Sequence, residues 1–226
     1  MNPRQILVAI AALALVAAVS GCICCCGIDG MFSKLKGSVN KINFPDKINL
    51  NGKAFDKLYS KEYLDPESVK AGLKNFANKL GYETGGDISS SIDSLIDASG
   101  IRQYKSFKYS DGTVKGVFGG LVGKTDSPVQ TAVGFEAMKA AANAALPTAN
   151  DPDENTGRVQ DISSGGSSSI GDGGERYISQ VDGMDCYFVC VKYSNTYVMA
   201  YSFESFAAAE AAAQMAIKQI DEAAAS

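Results

Sequence analysis

"DCYFVCVKYSNTYVMAYSF", residues 185–203, is the stretch that decides the fold. Two runs of apolar and aromatic residues flank the polar pair Ser194-Asn195, and each run has about the length of one strand. Such runs on either side of turn residues predict two antiparallel strands joined by a short connection. The preceding run GERYISQV, residues 174–181, predicts a further strand.

Two cysteines, Cys186 and Cys190, lie in the first run. In a strand that rises about 3.3 Å per residue, their Cα atoms would lie roughly 13 Å apart on one face. A disulfide requires a separation below about 7 Å, so the two thiols cannot pair with each other. We predict that both are reduced and packed as small apolar residues, in line with Phe188.

A helix follows this sheet segment and another hairpin precedes it. The alanine-rich run SFAAAEAAAQMAIKQI predicts a helix over 206–221 that Ser205 caps. Residues 101–123 predict a hairpin that turns at Asp111-Gly112, and residues 128–146 predict the helix after it. We therefore expect an α+β fold, in which at least four antiparallel strands drawn from 101–123 and 159–203 pack against these helices.

The two hairpin–helix passes are compatible with an internal ββα duplication. Lys-Tyr-Ser occurs in both hairpins, at 108–110 and at 192–194. A match of three residues is equally compatible with convergent turn chemistry.

Two helices are predicted before residue 100. Asp65 and Pro66 have the residue types of a helix start, and Gly81 ends the pattern. The second helix spans 87–100. The core-facing stripes are Val69, Leu73, Phe76 and Leu80 in the first helix, and Ile88, Ile92, Leu95 and Ile96 in the second.

The N-terminus has the pattern of an export signal. Residues 6–19 are uninterrupted apolar residues after a single basic residue, Arg4, which is typical of a secretory signal peptide. The stretch Val19-Ser20-Gly21-Cys22 resembles the lipobox of prokaryotic lipoproteins. The resemblance implies cleavage before Cys22, which removes the signal peptide 1–21, and lipidation of Cys22 by a diacylglycerol. It also implies a cell-membrane protein whose domain lies on the extracytoplasmic face.

An uncleaved anchor is the alternative for this region. Residues 6–28 carry no charge and, as a helix, would span roughly 34 Å, enough to cross a bilayer. Neither alternative explains Cys24, Cys25 and Cys26. Four cysteines within five positions lack the paired spacing of zinc sites, so we expect no metal there.

Charge divides the rest of the chain. Residues 22–64 carry seven lysines against four acidic residues, whereas residues 65–226 carry 13 basic and 21 acidic residues. We therefore expect a basic tether over 22–64 and an extracytoplasmic domain over 65–226. Within the tether, KINFPDKINL (41–50) alternates across Pro45-Asp46 and predicts a short hairpin or an edge strand.

A second resemblance concerns the C-terminal region. The run SIGDGG (169–174), followed by strands and a helix that ends in AIKQI, resembles the C-terminal half of small extracytoplasmic lipoprotein domains. These are related in layout to PsbP-like and receptor-kinase sensor domains. The resemblance covers about 50 residues and implies an antiparallel sheet backed by helices. Gly173-Gly174 stands where that family usually has an alanine after the Gly-Asp turn.

Composition argues against catalysis. The chain contains no histidine, which removes the commonest general base and metal ligand. FGGLVGKT (118–125) lacks the spacing of a phosphate loop and predicts a glycine-rich strand end. DPDENTG (151–157) has Thr156 where a calcium loop needs its turn glycine, and Ile162 stands where the loop needs its bidentate glutamate. The Ser-x-x-Lys matches SKLK (33–36) and SVNK (38–41) are explained by the abundance of lysine.

We therefore expect no enzyme activity, no catalytic residues, no cofactor, no metal and no nucleic-acid partner. The favoured hypothesis is a non-catalytic binding or sensor module. It is anchored to the membrane through an N-terminal lipid or helix and binds an unidentified ligand or protein partner. The alternatives are a histidine-free surface hydrolase, built on a Ser-Lys or carboxylate pair, and a purely structural surface protein. Residues 148–175, rich in Gly, Ser, Asp and Asn, are expected to be an exposed, protease-sensitive segment.

Overall fold

The computed structural model describes residues 33–79, 93, 97, 100–136 and 159–226. Within these ranges, eight strands form one antiparallel sheet. The strands are β1 Lys47–Leu50, β2 Lys53–Tyr63, β3 Gln103–Ser110, β4 Val117–Lys124, β5 Val159–Ser168, β6 Gly174–Val181, β7 Met184–Tyr193 and β8 Thr196–Ser202. The helices are α1 Pro66–Lys79, α2 over 128–136 and α3 Phe206–Ala225, with a short 3-10 helix at Val39–Lys41.

The strand order is β1-β2-β3-β4-β8-β7-β6-β5. The sheet therefore has two halves of four strands each, β1–β4 and β5–β8. The halves meet at the central pair of β4 and β8, where Phe118 lies opposite Ser202 and Lys124 opposite Thr196. The predicted sheet of at least four antiparallel strands packed against helices is confirmed, and the described part of the chain is mostly sheet. The predicted turn at Ser194-Asn195 connects β7 to β8.

One face of the sheet packs against α3 and the segment 33–44. Most of the buried residues of α3 are alanines, which let the helix backbone approach the strands closely. Phe44 packs on Phe107 of β3 with 4.4 Å between ring centroids, so the N-terminal segment continues this layer. The core here includes Leu35, Val39, Ile42, Tyr109, Val122, Val189, Val191, Val198 and Ile220.

The opposite face packs against α1 and α2. The rings of Tyr63 and Tyr104 stack with 4.3 Å between centroids, and the Tyr63 ring and the Tyr104 hydroxyl lie against Gly72 of α1. Tyr197 donates a hydrogen bond to the carbonyl of Gln130 in α2, at 3.4 Å. Neighbouring residues of a strand point to opposite faces, and Val198, next to Tyr197, lies in the core beneath α3. Helices α2 and α3 therefore cover opposite faces of the sheet.

The predicted helices agree with the described residues. Asp65 accepts a hydrogen bond from the Ser68 amide at 2.9 Å, as expected of a cap for α1. Ser205 caps α3 through the Ala208 amide at 3.1 Å. Of the helix predicted over 87–100, only positions 93, 97 and 100 lie within the described residues, and 93 and 97 are helical. Residues 137–146 of the other predicted helix lie outside them.

The domain boundary predicted at residue 65 requires correction. Of the predicted tether 22–64, residues 33–63 belong to the sheet and its core, where Leu35, Val39, Ile42 and Phe44 are at most 2 % exposed. Their apolar side chains are buried although lysines separate them, because the lysines point to solvent or to carboxylates at the edge. The remaining tether residues, 22–32, lie outside the described residues.

The turn within the same segment also differs from the expectation. β1 is the predicted edge strand, but the hairpin turns at Asn51-Gly52 rather than at Pro45-Asp46. Asn51 and Gly52 have φ of 52° and 80°, the left-handed pair that a tight two-residue hairpin requires. Residues 41–46, in the first half of the predicted segment, form no strand, and Lys41 ends the 3-10 helix.

Most described residues of the segment predicted to be exposed, 148–175, are exposed or half-buried, but the segment is more regular than its composition indicates. Residues 159–168 form β5, the edge strand beside β6. The pairing of β5 shifts register in two places, which twists an edge and hinders pairing with another chain. Residues 148–158 lie outside the described residues.

Replacing Gly120 by Ala should destabilise the centre of the sheet. A Cβ at this position would lie 2.1 Å from the Met199 carbonyl oxygen, so β4 and β8 would have to separate. We expect Gly120→Ala to lower the free energy of unfolding by about 1–3 kcal/mol in urea titrations. Gly123→Ala is the control, because its Cβ would first meet the flexible Ile101 side chain at 3.2 Å. Equal stability of the two variants would contradict the close approach of β4 to β8.

Candidate functional site

The predicted lipidation site, Cys22, lies outside the described residues, as do Cys24, Cys25 and Cys26. Within the described ranges, no helix is long and apolar enough to cross a membrane. The described residues do show where the chain from the N-terminus joins the sheet. We call that end of the sheet, which carries the β7–β8 turn, the entry end.

Asn195 fastens the chain at the entry end. Its side-chain amide accepts a hydrogen bond from the Leu35 amide at 3.2 Å and donates one to the Leu35 carbonyl at 3.1 Å. This pair of bonds is the one that a neighbouring strand would make with Leu35. The Asn195 carbonyl also accepts the Thr125 amide at 3.0 Å. Asn195 is 1 % exposed, so these bonds form away from water and join three segments of the chain.

A second contact fastens the same segment to the end of α3. Lys34 donates a hydrogen bond to the Tyr193 hydroxyl, which in turn donates to Asp221 at 2.7 Å. Lys34 also lies 3.3 Å from Asp221 and over the Tyr193 ring. The hydrogen bond that Lys34 donates to Tyr193 is the largest cause of the raised pKa of Lys34, and burial raises the pKa of Tyr193. Lysine and tyrosine therefore both keep their protons at neutral pH, as expected of a structural contact.

The glycine-rich run SIGDGG also lies at the entry end. Asp172 accepts a hydrogen bond from the Ser194 amide at 2.7 Å, which ties the β5–β6 turn to the β7–β8 turn. Gly171 and Gly173 have φ of 62° and 101°, values that favour glycine. The departure from alanine at Gly173 thus matches a backbone conformation that alanine rarely adopts.

The weaker motifs have structural roles. Ser38 caps the 3-10 helix by accepting a hydrogen bond from the Asn40 amide. The run FGGLVGKT forms most of β4, as predicted, and Thr125 after it is buried and hydrogen-bonded to Thr131 at 2.7 Å. The run at 151–157 lies outside the described residues.

The opposite end of the sheet, which we call the distal end, contains a cavity of about 60 Å³. Leu50, Phe55 and Phe118 line its apolar part, and the rings of the two phenylalanines meet edge to face at 5.0 Å. At its rim Lys53 pairs with Glu204 at 2.7 Å. The volume suits a group of a few atoms, whereas pockets for drug-sized ligands are about 300–1,000 Å³.

The β3–β4 turn projects beside this cavity. Asp111 accepts hydrogen bonds from the Thr113 amide at 2.8 Å and the Thr113 hydroxyl at 2.7 Å. The bond from the Thr113 hydroxyl is the first cause of the lowered pKa of Asp111. These bonds order the turn, yet Val114 at its tip is 71 % exposed. Lys115 lines the cavity beside it. The distal end therefore presents an ordered loop with an apolar tip.

The two cysteines of β7 are free and buried, with 1 % exposure for Cys186 and 2 % for Cys190. This confirms the prediction that they are reduced and packed in the interior. Burial raises the pKa of Cys186 to about 12 and also raises that of Cys190. Thiols that remain protonated are poor nucleophiles and poor metal ligands. No group of three or more metal-ligating side chains occurs among the described residues.

Comparison with protein-family models, curated proteins and solved structures finds no match. The resemblances to lipoproteins and to their extracytoplasmic domains therefore stay predictions that rest on residues 19–22 and on the C-terminal region.

Sequence reasoning missed both ends of the sheet as features. Asn195 was identified only as a turn residue, because its bonds to Leu35 connect residues far apart in the chain. Asn51-Gly52 was a local signal for a hairpin that could have been found from the sequence. The cavity forms where three chain connections meet at the distal end. No short-range sequence pattern predicts such a meeting of distant segments.

Asn195→Ala should destabilise the domain. The substitution leaves the buried Leu35 amide and carbonyl without partners, so we expect the free energy of unfolding to fall by about 1–3 kcal/mol. Cleavage by trypsin after Lys34 or Lys36 should also become faster. The control is Asn40→Ala, since Asn40 is exposed and should change stability by about 0.5 kcal/mol or less. Unchanged stability of Asn195→Ala would show that Leu35 does not depend on this amide.

Cys186 should make the domain less stable at alkaline pH. Burial raises the pKa of this thiol from 9.0 to about 12 in the folded chain. Up to about pH 9 the thiol is protonated in both the folded and the unfolded chain, and the domain keeps its full stability. Above pH 9 the unfolded chain loses this proton first, and stability falls until about pH 12, by at most about 4 kcal/mol. Urea titrations from pH 7 to pH 11 should show a smaller decline for Cys186→Ala than for the wild type.

Ser179→Ala provides the control for this experiment. Ser179 lies opposite Cys186 on β6 and is 2 % exposed, but its hydroxyl does not titrate in this range. Its variant should keep the wild-type decline with pH. A Cys186→Ala variant with the same decline would show that this thiol does not contribute.

Proposed function

We propose that this protein is a non-catalytic binding or sensor module, anchored to the extracytoplasmic face of a cell membrane through a lipid on Cys22. The observation that carries the proposal is the fastening of residues 34 and 35 to the entry end by Asn195, Tyr193 and Asp221. A chain that leaves the anchor meets the sheet at that end. The distal end is then the end of the sheet farther from the point where the chain enters.

The chemistry of the distal end supports binding of a protein partner. The ordered β3–β4 turn exposes Val114, and the adjacent cavity of about 60 Å³ could take one small side chain. The exposed valine and the apolar cavity beside it together offer an apolar contact point for a partner. The ion pair of Lys53 and Glu204 lies at the rim of this cavity.

The ββα duplication stays a prediction. β3-β4-α2 and β7-β8-α3 share the order of a hairpin followed by a helix, and β4 lies beside β8. However, α2 and α3 cover opposite faces. A twofold axis through the β4–β8 pair would place both helices on the same face, so the topology does not favour a simple repeat.

A photo-crosslinking residue at position 114 should capture a partner in cells. We expect Val114→p-benzoylphenylalanine to give a discrete adduct after irradiation, because this side chain extends from the distal end. The matched control replaces Val129 of α2, which is 41 % exposed but follows the entry end of β4. Adducts from position 129 alone, or from neither position, would contradict recognition at the distal end. Mass spectrometry of the adduct identifies the partner.

Cys22→Ser should abolish lipid labelling of the full chain. Without the thiol no diacylglycerol can be attached, so the precursor should stay uncut and about 21 residues longer than the wild-type protein. Metabolic labelling with a fatty acid and intact-mass measurement check both effects. Cys24→Ser is the control and should still be processed at Cys22. A wild-type protein that retains residues 1–21 and takes up no lipid would instead have a transmembrane anchor.

A further inference from the structure

The charged groups of the entry end fall into two sets. Most of its carboxylates are bound by cationic side chains or backbone amides of the protein itself. Four are in ion pairs: Glu62 with Lys105, Asp126 with Arg102, Glu136 with Lys192 and Asp221 with Lys34. Asp172 and Asp65 instead accept hydrogen bonds from the uncharged backbone amides of Ser194 and Ser68. Glu67, in the first turn of α1, is the described exception at this end.

Three lysines form the second set: Lys36, Lys41 and Lys124. Their backbones are hydrogen-bonded, but none of their ammonium groups has a hydrogen bond or ion pair within the described part of the chain, and Lys36 and Lys41 are exposed. Lys124 ends β4 opposite Thr196, and Lys36 follows the fastened Leu35. Lys41 ends the 3-10 helix, whose Val39 amide binds Gln103 at the start of β3. The three ammonium groups therefore project from the same end of the sheet.

We propose that this end of the domain, through Lys36, Lys41 and Lys124, lies against the anionic lipid headgroups of the membrane that holds the protein. The inference rests on the proposed anchoring at Cys22. Ser33 lies eleven positions after Cys22, so the chain places the entry end at most about 40 Å from the anchored sulfur. Asn195 and Asp221 hold residues 34 and 35 in place, so the chain that leaves the anchor enters the domain at this end.

Distance separates these lysines from the distal ones. β4 alone has eight residues and is about 25 Å long, whereas electrostatic interactions in physiological salt decay over about 8 Å. Lys47, Lys108 and Lys115, in the distal half of the sheet and its turns, would then experience little of the headgroup potential. They provide a control within the same molecule.

The test is lysine labelling of the full-length, membrane-derived protein reconstituted into vesicles. One preparation contains phosphatidylcholine alone and the other contains phosphatidylcholine with phosphatidylglycerol. Reductive methylation with formaldehyde, an uncharged reagent, is followed by peptide mass spectrometry. On anionic vesicles we expect labelling of Lys36, Lys41 and Lys124 to slow by about threefold or more, and that of the three distal lysines to be nearly unchanged. High salt should remove the difference.

A pair of matched variants tests the role of the charges. Lys192, a neighbouring lysine at the entry end, should also be labelled more slowly on anionic vesicles. Replacing Lys36, Lys41 and Lys124 together by Glu should abolish this effect. Replacing Lys47, Lys108 and Lys115 by Glu changes the net charge equally and should preserve it. Circular dichroism of both variants verifies that they fold.

Flotation of the vesicles separates the two possible failures. A protein that does not float with phosphatidylcholine vesicles is not anchored, which overturns the proposed anchoring and the inference with it. A protein that floats, but whose entry-end lysines react equally on both kinds of vesicle, overturns only the membrane-facing surface. Slower labelling of the distal lysines instead would reverse the orientation.

Discussion

The two hydrogen bonds between the Asn195 side chain and the backbone of Leu35 are the constraint on which the rest of the structure depends. A side-chain amide carries the same donor and acceptor as a peptide group, so it can hold an extended segment that no strand accompanies. Because it does so in the interior, both segments are costly to separate. Val39, Ile42 and Phe44 follow Leu35 into the core, and their burial completes the layer that α3 begins on the same face.

Local patterns identified much of the sheet. The strands β6, β7 and β8, the Ser205 cap and the turn near Asp111-Gly112 all depend on neighbours in sequence, and the structure has them where they were predicted. Residues 33–63 were assigned to a tether because lysines are frequent there. A count of charged residues reports only side chains that face solvent. It contains no information on the few apolar side chains of the same segment that face the core. Composition therefore could not predict that four side chains of that segment are buried.

The candidate surfaces could be predicted less well for a physical reason. The entry end brings together residues 34–36, 124–126, 172 and 193–195, and the distal cavity likewise combines three turns with the start of α3. Such groupings follow from strand order, and the order here places β4 beside β8 rather than beside β5. Alternation within a strand predicts which face a side chain occupies. It does not predict the neighbouring strand.

The pairing of β4 with β8 also has a consequence for how the chain folds. Each side of the sheet is a series of neighbouring strands, but the central pair joins Phe118 to Ser202 across most of the second half of the chain. Closing so long a loop costs conformational entropy before the contact forms, which slows folding. During synthesis the glycine-rich edge of β4 stays unpaired until the last strand has emerged. The two halves of this sheet therefore join late, and α3 can cover the seam only after they have met.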